Sequence, residues 1–397
     1  MRELFAFFGA RLVGQFRETG PSQALFEYAP VAGATPLSLS LPLMGEHGPG
    51  AAWSFLDNLL PDNDDVRHRW ARERNLDSVD PFTLLAAYGE DVAGALSLTT
   101  DPDLPRRVRA PLVRATDDDV AARIGALGRD RTSWTDPQAR TRMSLAGMQG
   151  KFTLARIDDH WFWPTYEYPS THILKPPARE HPGIDLLEHV GLELARSVGV
   201  EASRSASVEF RTLPTFIVER WDRQDGIRLH AEDLNQSLGN PTSKKYAVTA
   251  PRIARLLDQH GEVERFIRQL AFNVAFGNAD AHAKNYSVLL AGDQIALAPI
   301  YDTVPVYLWA GKYDTRFSMP VGKARHPAEL TERNWRLFAD QSELDPDLVC
   351  GEALPVVRAV AERLQDAMSG ADLSPAQERL VGKQARALRQ ALPAAPT

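Results

Sequence analysis

Cysteine is nearly absent from this chain of 397 residues, in which Cys350 stands alone. No intramolecular disulfide can form, and a thiolate metal site is not expected. This composition fits a reducing compartment, so we predict a cytoplasmic protein. No apolar run approaches the ~18 uninterrupted residues that a membrane helix needs. Glu3 and Arg11 break the apolar start, so we expect neither a signal peptide nor a membrane partner.

An excess of positive charge is also missing. The formal net charge is −7, which argues against the whole chain acting as a nucleic-acid binder, although a local basic patch remains open. Only eight lysines occur, none of them before Lys151. Because arginine is the default cation here, a retained lysine indicates a site that needs a compact ammonium group, as a nucleotide phosphate does. Lys151, Lys175 and Lys284 all fall in the motifs described below.

The most distinctive polar motif begins where the apolar run 272–276 ends. It reads Gly-Asn-Ala-Asp-Ala-His-Ala-Lys-Asn over residues 277–285. Apolar strands are predicted at 286–290 and 295–299, with a turn between them. Such a hairpin brings Asn285 and Asp302 together at its open end.

This arrangement suits phosphoryl transfer. Asp280 is placed to accept the proton of an attacking hydroxyl, while Asn285 and Asp302 offer the hard oxygen ligands that magnesium prefers. The Asp-to-Asn spacing alone recurs about once by chance in a chain of this length, and it is His282, Lys284 and the hairpin that add specificity. The alternative is that these polar residues only cap and turn the chain.

A second motif, residues 142–154, is predicted as a strand, a loop and a strand. Small residues at Ala146, Gly147 and Gly150 would let backbone N–H groups approach a phosphate. It is not a Walker loop, because Phe152 stands where a serine or threonine should bind magnesium. Taken alone, a loop of this kind is more often an ordinary hairpin turn.

The third motif pairs a strand lysine with a helix glutamate. The apolar strand 171–175 ends in Lys175 before two prolines, which is the position from which a kinase lysine reaches nucleotide phosphates. An amphipathic helix is predicted over 185–198, with Glu188 directed inward to pair with Lys175. The alternative, a solvated strand end and a solvated helix face, weighs about equally on these residues alone.

Elsewhere, the periodicity predicts the remaining elements. Strands are expected at 4–8, 11–16, 24–28 and 215–219. Helices are expected at 116–127, 253–260, 262–276, 329–339, 353–368 and 374–392.

Residues 277–287, together with Leu-Ala-Pro-Ile-Tyr-Asp at 297–302, resemble the HipA family of toxin–antitoxin serine/threonine kinases. Further likenesses follow in chain order. They are the loop with Ser144, Gln149 and Lys151, the strand Ile-Leu-Lys-Pro at 173–176, the hinge 218–223 with Trp221 in place of phenylalanine, and the segment 229–239.

The resemblance implies an α+β, two-lobed protein-kinase-like fold. A β-rich N-terminal lobe with an extra N-terminal subdomain would sit with an all-helical C-terminal lobe. The implied boundaries are a cap at 1–105, the kinase N-lobe at 106–221 and the C-lobe at 222–397.

The resemblance also implies ATP and Mg²⁺ as cofactors, with Asp280 as the base and Asn285 and Asp302 on the metal. The implied nucleotide-binding residues are Lys175, Glu188, Gly147, Gln149, Lys151, Glu219, Trp221 and His282. Ser144 would be an autophosphorylation site, and the added charge of roughly −2 would inactivate the enzyme. Implied partners are a HipB-like DNA-binding antitoxin, operator DNA through that complex, and a protein substrate, typically an aminoacyl-tRNA synthetase.

Two other functions remain open. A small-molecule or lipid kinase shares the Asp-x-x-x-x-Asn arrangement. A non-catalytic corepressor would keep the fold and bind an antitoxin without binding ATP.

Overall fold

A computed structural model describes residues 2–30, 33–48, 50–103, 111–134, 144–177 and 183–392. The chain forms two compact units. The first comprises Met1–Arg179, Ala206–Lys244 and Ser287–Ile295, and the second comprises Glu180–Ser205, Lys245–Tyr286 and Ala296–Thr397. The chain therefore passes from one unit to the other at five points. The division into a cap, an N-lobe and a C-lobe that the sequence predicts is a different partition, and it stays a prediction.

The elements are as follows. The strands are β1 Glu3–Phe8, β2 Arg11–Gly20, β3 Gln23–Tyr28, β4 Leu96–Thr99, β5 Val113–Arg114, β6 Phe152–Ile157, β7 His160–Trp163, β8 His172–Lys175, β9 Ser205–Phe210, β10 Leu213–Glu219, β11 Arg223–Gln224, β12 Ile227–Arg228, β13 Ala231–Asp233, β14 Ser287–Ala291 and β15 Gln294–Leu297. The α-helices are α1 Ala51–Asn58, α2 Asp64–Glu73, α3 Pro81–Tyr88, α4 Asp117–Arg129, α5 Ile184–Ser197, α6 Leu234–Ser237, α7 Ala250–Asp258, α8 Val263–Phe276, α9 Glu332–Ser342, α10 Pro346–Met368 and α11 Pro375–Ala391.

The first unit is built on two main sheets. The N-terminal sheet is antiparallel in the order β3-β2-β1-β4, and α1 and α3 pack near it. The second sheet runs β5-β7-β6-β8-β10-β9, so β8 is an inner strand with β6 and β10 as its neighbours. The predicted strands at 4–8, 11–16, 24–28, 171–175 and 215–219 are confirmed. The predicted strand that opens the 142–154 motif is not seen at 144–150, and residues 142 and 143 lie outside the described residues.

Helices dominate the second unit. Its central element is α8, whose residues are buried on nearly every face from Phe266 to Phe276. The predicted helices are confirmed within three residues at their starts, except α10, which begins at Pro346 instead of residue 353. Asp345 caps this helix by accepting a hydrogen bond from the Asp347 amide, and proline is well suited to the first helical position. The mixed composition of helices and sheets confirms the predicted α+β class.

No helix among the residues described is long and apolar enough to cross a membrane.

A buried cluster of charges in the first unit joins the N-terminal sheet region to the segment after β10. Asp91 accepts a hydrogen bond from Arg223 at 2.9 Å and lies 3.1 Å from Nη1 of Arg228. Arg220 is bound by Asp222, with Nη2 to Oδ2 at 2.8 Å. Ser170, just before β8, donates its hydroxyl to Asp91 at 2.6 Å. The cluster therefore fixes the path of the chain at the start of β8 and after the end of β10.

Burial by itself raises the pKa of Asp91, but the charges of Arg228, Arg220 and Arg223 outweigh burial and hold the pKa below its ordinary value. The same competition lowers the pKa of Asp222 to about 2. Burial and the neighbouring Arg220 charge lower the pKa of Arg223 to about 10. Asp91, Asp222 and Arg223 each depend on their partners to compensate for lost hydration.

We expect Asp91→Asn to lower the free energy of unfolding by about 3–5 kcal/mol, because it leaves buried arginines without their counter-charge. Chemical denaturation of the two proteins measures the difference. Asp118→Asn is the matched control, since Asp118 pairs with Arg211 on the surface, where such pairs contribute little. Equal and small effects of the two substitutions would contradict the importance assigned to the cluster.

Candidate active site

The turn that carries Asp280 begins where α8 ends. Gly277 closes the helix with φ +84°, in the left-handed region that favours glycine. A Cβ atom at this position would lie 2.4 Å from Cδ1 of Tyr307. Only glycine therefore satisfies both the backbone conformation and the space available, and the turn leaves α8 in one direction.

Hydrogen bonds within the turn hold Asp280 and Asn285 together. The amide of His282 donates to the Asp280 carbonyl at 2.7 Å, and the amide of Asn285 donates to the His282 carbonyl at 2.9 Å. The side chain of Asn285 donates from Nδ2 to the Asp280 carbonyl at 3.2 Å. This hydrogen bond uses Nδ2 and does not involve the Asn285 side-chain oxygen.

Asp302 is tied to the same turn through its backbone. Asn278 is buried and donates from Nδ2 to the Asp302 carbonyl at 3.2 Å and to Oδ1 of Asn273 at 3.0 Å. Tyr301 donates its hydroxyl to the Lys284 carbonyl at 2.8 Å. Asp302 itself has φ +52°, an uncommon conformation for a residue with a side chain. The structure thus brings together the segments that bear Asp280, Asn285 and Asp302.

The hairpin that follows is confirmed with a shift of about one residue, as β14, a turn with Gly292 at φ +66°, and β15. Beyond it, Ile300 forms a parallel bridge with Ala202, and its amide donates to Glu201 at 2.9 Å. The return of the chain from the hairpin is therefore fixed just before Asp302.

Asp280 is exposed, and one of its carboxylate oxygens accepts a hydrogen bond from the Tyr246 hydroxyl at 2.7 Å. The Tyr246 ring meets the His282 ring edge to face, with centroids 4.8 Å apart. Tyr246 is not among the site residues predicted from the sequence. The two residues lie 34 positions apart, so no local spacing in the sequence signals their contact. The residues just before Tyr246 are mostly polar and end in Lys244 and Lys245.

The donor set fits magnesium better than a transition metal. Within the described ranges, no group of three or more His, Cys, Asp or Glu side chains is arranged to hold a metal ion. One carboxylate from Asp302 and one amide oxygen from Asn285 make a smaller set. Magnesium keeps several waters and completes its shell with substrate phosphates, so a small set of oxygen ligands is typical of its sites. Binding of magnesium by Asn285 and Asp302 stays a prediction.

In the first unit, Lys175 ends β8 and is only 5% exposed. Its register partner on β10 is Phe216, and its ammonium lies 5.8 Å from the centre of that ring. On the other side, β6 pairs Phe152 with Leu174. The apolar neighbours of Lys175 are thus those expected for an ammonium group at the end of a buried strand.

The glycine-containing loop is folded against the N-terminal part of the first unit. Ser144 is fully buried, and its hydroxyl donates to the Leu59 carbonyl at 2.8 Å. Lys151 turns back to donate from Nζ to the Ala146 carbonyl at 2.8 Å. Gly147 has φ +107°, and a Cβ there would lie 2.6 Å from the Lys151 ammonium. Glycine is therefore required for the lysine to reach across the loop.

Gln149 adds a second donor to this loop. Its Nε2 is buried and has no hydrogen-bond partner within the described part of the chain. A buried donor without an acceptor is costly in a native structure. An anionic ligand on the loop would supply the missing acceptor.

The segment after β10 alternates between burial and exposure. Arg220 and Asp222 point into the buried charge cluster, while Glu219 is exposed and Trp221 is partly exposed. The predicted hinge residues Glu219 and Trp221 are thus accessible to solvent, because the residues that alternate with them are buried in the cluster. Their binding of adenine stays a prediction.

Glu188 is buried on α5, at 2% exposure. It belongs to the second unit, whereas Lys175 belongs to the first. The predicted pairing of Glu188 with Lys175 stays a prediction.

Two family models match this chain. The HipA-like C-terminal domain matches residues 143–369, and the HipA N-terminal domain matches residues 4–99. The chain belongs to the HipA family. The putative kinase Y4mE of Sinorhizobium fredii is 31% identical over 392 residues, which cover 94% of this chain and 91% of that protein.

Two further HipA-family matches come from Shewanella oneidensis. The serine/threonine-protein kinase toxin HipA is 26% identical over 358 residues, which cover 83% of this chain and 80% of that protein. A solved structure of HipA with HipB and operator DNA covers 97% of this chain and 95% of its own, with a TM-score of 0.79 and 24% identity. The HipA fold predicted from the sequence is thereby confirmed.

We expect Asn278→Ala to loosen the turn, because two carbonyl-type acceptors lose their buried donor at a cost of about 1–3 kcal/mol. Hydrogen exchange at the amides of His282, Asn285 and Val306 should become roughly 10- to 100-fold faster. Asn334→Ala, which removes a side-chain hydrogen bond to the Glu329 carbonyl at the surface of the same unit, should leave these three amides unchanged. Unchanged exchange in Asn278→Ala would show that the turn holds without this residue.

Proposed function

We propose that this protein is an ATP-dependent serine/threonine protein kinase and the toxin of a HipA-type toxin–antitoxin module. The observation that supports it most is the set of hydrogen bonds from Asn278 and Asn285, which join the segments bearing Asp280 and Asp302 within the second unit. The relatives named as kinases support the same activity.

In the proposed reaction, Asp280 accepts the proton of a serine or threonine hydroxyl. The hydroxyl oxygen forms a bond to the γ-phosphorus of ATP, and the bond from that phosphorus to the β–γ bridging oxygen breaks, so ADP leaves. A magnesium ion held by Asn285 and Asp302 would supply positive charge to the phosphates. The backbone hydrogen bonds of the turn keep the segments that bear Asp280 and Asn285 in place during this transfer.

The residues proposed for nucleotide binding are those that the family resemblance implies. Lys175 would bind the α- and β-phosphates with Glu188 as its orienting carboxylate. The loop would contribute backbone donors near Gly147 together with Gln149, whose buried Nε2 needs an acceptor. The other proposed nucleotide contacts are Lys151, Glu219, Trp221 and His282.

Lys151 would change its partner on binding. Its ammonium is bound to the Ala146 carbonyl and lies 5.2 Å from the centre of the Trp134 ring. A phosphate is a stronger acceptor than a carbonyl. Binding of nucleotide would therefore release this internal bond of the loop.

Regulation by Ser144 is part of the proposal. Its hydroxyl is buried and its amide donates to the Asp91 carbonyl at 3.1 Å. A kinase can reach this hydroxyl only after residues 144–147 leave their place against Leu59 and Asp91. Phosphate added there could not return to the same buried position without losing its hydration.

The proposed partners follow from the family. The solved HipA of Shewanella oneidensis is bound to HipB and operator DNA, so we propose a HipB-like antitoxin for this chain and DNA contact through that complex. We propose an aminoacyl-tRNA synthetase as the class of protein substrate. Phosphoproteomics on cells arrested by the wild-type protein identifies the target.

We expect purified protein to transfer labelled γ-phosphate from Mg-ATP to protein, and Asp280→Ala to reduce the rate by roughly 10²- to 10⁴-fold, because the general base is lost. Asp293→Asn, an exposed aspartate at the tip of the hairpin, is the matched control and should keep full activity. Equal transfer by wild type and Asp280→Ala would refute the assignment. Phosphate found only on a soluble metabolite would favour a small-molecule kinase, and no thermal shift with Mg-ATP would favour a corepressor.

A further inference from the structure

The hydroxyl of Tyr246 lies directly against the proposed base. Its Oη donates to Oδ1 of Asp280 at 2.7 Å, and the side chain is 54% exposed. The two residues lie in the second unit, 34 positions apart in sequence. The contact is therefore made by the fold and not by local geometry of the turn.

Tyr246 is held from more than one side. Its ring meets His282 edge to face at 4.8 Å with an interplanar angle of 82°, a favourable arrangement for aromatic rings. The ammonium of Lys245 lies 5.2 Å from the ring centre. The Lys245 carbonyl also accepts a hydrogen bond from the Ala283 amide at 3.4 Å. The turn that carries Asp280 thus also holds the segment that carries Tyr246.

This contact has a consequence for proton transfer. A carboxylate has two oxygens, and a hydrogen bond to Oδ1 restricts rotation about the Cβ–Cγ bond. The carboxylate then keeps one orientation toward a proton donor. A general base must lie within about 2.6–3.2 Å of the proton-bearing atom, so loss of orientation reduces the fraction of productive encounters.

We propose that Tyr246 is a positioning residue for Asp280, whose hydrogen bond to Oδ1 holds the carboxylate in the orientation from which it receives the proton of the acceptor hydroxyl. This inference rests on the proposed kinase function. Tyr246 exchanges no proton in the reaction, and its role is to orient the carboxylate.

A positioning residue differs from a side chain that occupies the acceptor position and blocks the substrate hydroxyl. An occupant would have to leave before each turnover, with loss of the His282 and Lys245 contacts to its ring. A positioning residue stays in place. The two roles predict opposite effects when the hydroxyl alone is removed.

Tyr246→Phe keeps the ring and its contacts and removes the hydroxyl. We expect kcat for phosphate transfer from Mg-ATP to dephosphorylated casein and to water to fall roughly 10-fold or more, the range for loss of a hydrogen bond to a charged group. The KM for ATP should stay within about 2-fold, because the nucleotide contacts are unchanged. Calorimetric titration with Mg-ATP checks that binding independently of turnover.

Tyr313→Phe is the matched control. Tyr313 is also partly exposed in the second unit, at 42%, with the neighbouring Lys312 ammonium 5.5 Å from its ring centre. It should retain wild-type kcat. A fall in both variants would indicate a general effect of removing a surface hydroxyl and would overturn the assignment.

Other outcomes also decide the proposal. An unchanged kcat in Tyr246→Phe, or a rise in KM for ATP without a fall in kcat, overturns it. A higher kcat/KM for casein identifies Tyr246 as an occupant of the acceptor position instead. If wild type transfers phosphate and only the Tyr246→Phe expectation fails, the kinase proposal stands. If wild type transfers none, the kinase proposal fails and this one fails with it.

Discussion

The buried carboxylate of Asp91 is the constraint on which the first unit depends. Its contacts with Arg223 and Arg228, and with the Ser170 hydroxyl, join three stretches of chain that are far apart in sequence. Because these charges have lost most of their hydration, each is stable only with the others in place. The start of β8 and the end of β10 are therefore fixed by buried ion pairs. Glu219 is exposed and Trp221 is partly exposed next to them.

In the second unit, the turn after α8 is held by neutral hydrogen bonds and not by ion pairs like those of Asp91. Asn278 and Asn285 use amide groups to satisfy backbone carbonyls, and Gly277 provides the one conformation that leaves α8 without collision with Tyr307. Neutral hydrogen bonds impose direction at a smaller desolvation cost than ion pairs. The exposed carboxylate of Asp280 can then keep its charge for chemistry while the frame around it is rigid.

Much of this could be predicted from sequence because its signals are local. The short apolar runs of β1 to β3 and the turn at Gly292 are visible within a few residues. Lys175 at the end of an apolar strand was equally readable. The Asp91 cluster and the contact of Tyr246 with Asp280 were not, since each joins residues tens of positions apart that carry no shared period. The predicted start of α10 at residue 353 is too late, because Pro346 indicates a helix start only when Asp345 is recognised as the N-cap residue.

The five crossings of the chain between the two units have a consequence for how the protein can be divided. No single cut of the polypeptide yields either unit whole. A fragment ending at residue 244 would lack β14, the strand that pairs with β13, and would leave that edge with unmatched amide and carbonyl groups. Synthesis must therefore pass residue 295 before the first unit is complete, by which point most of the second unit's earlier segments have also been made. The two units are thus not separable as exchangeable modules.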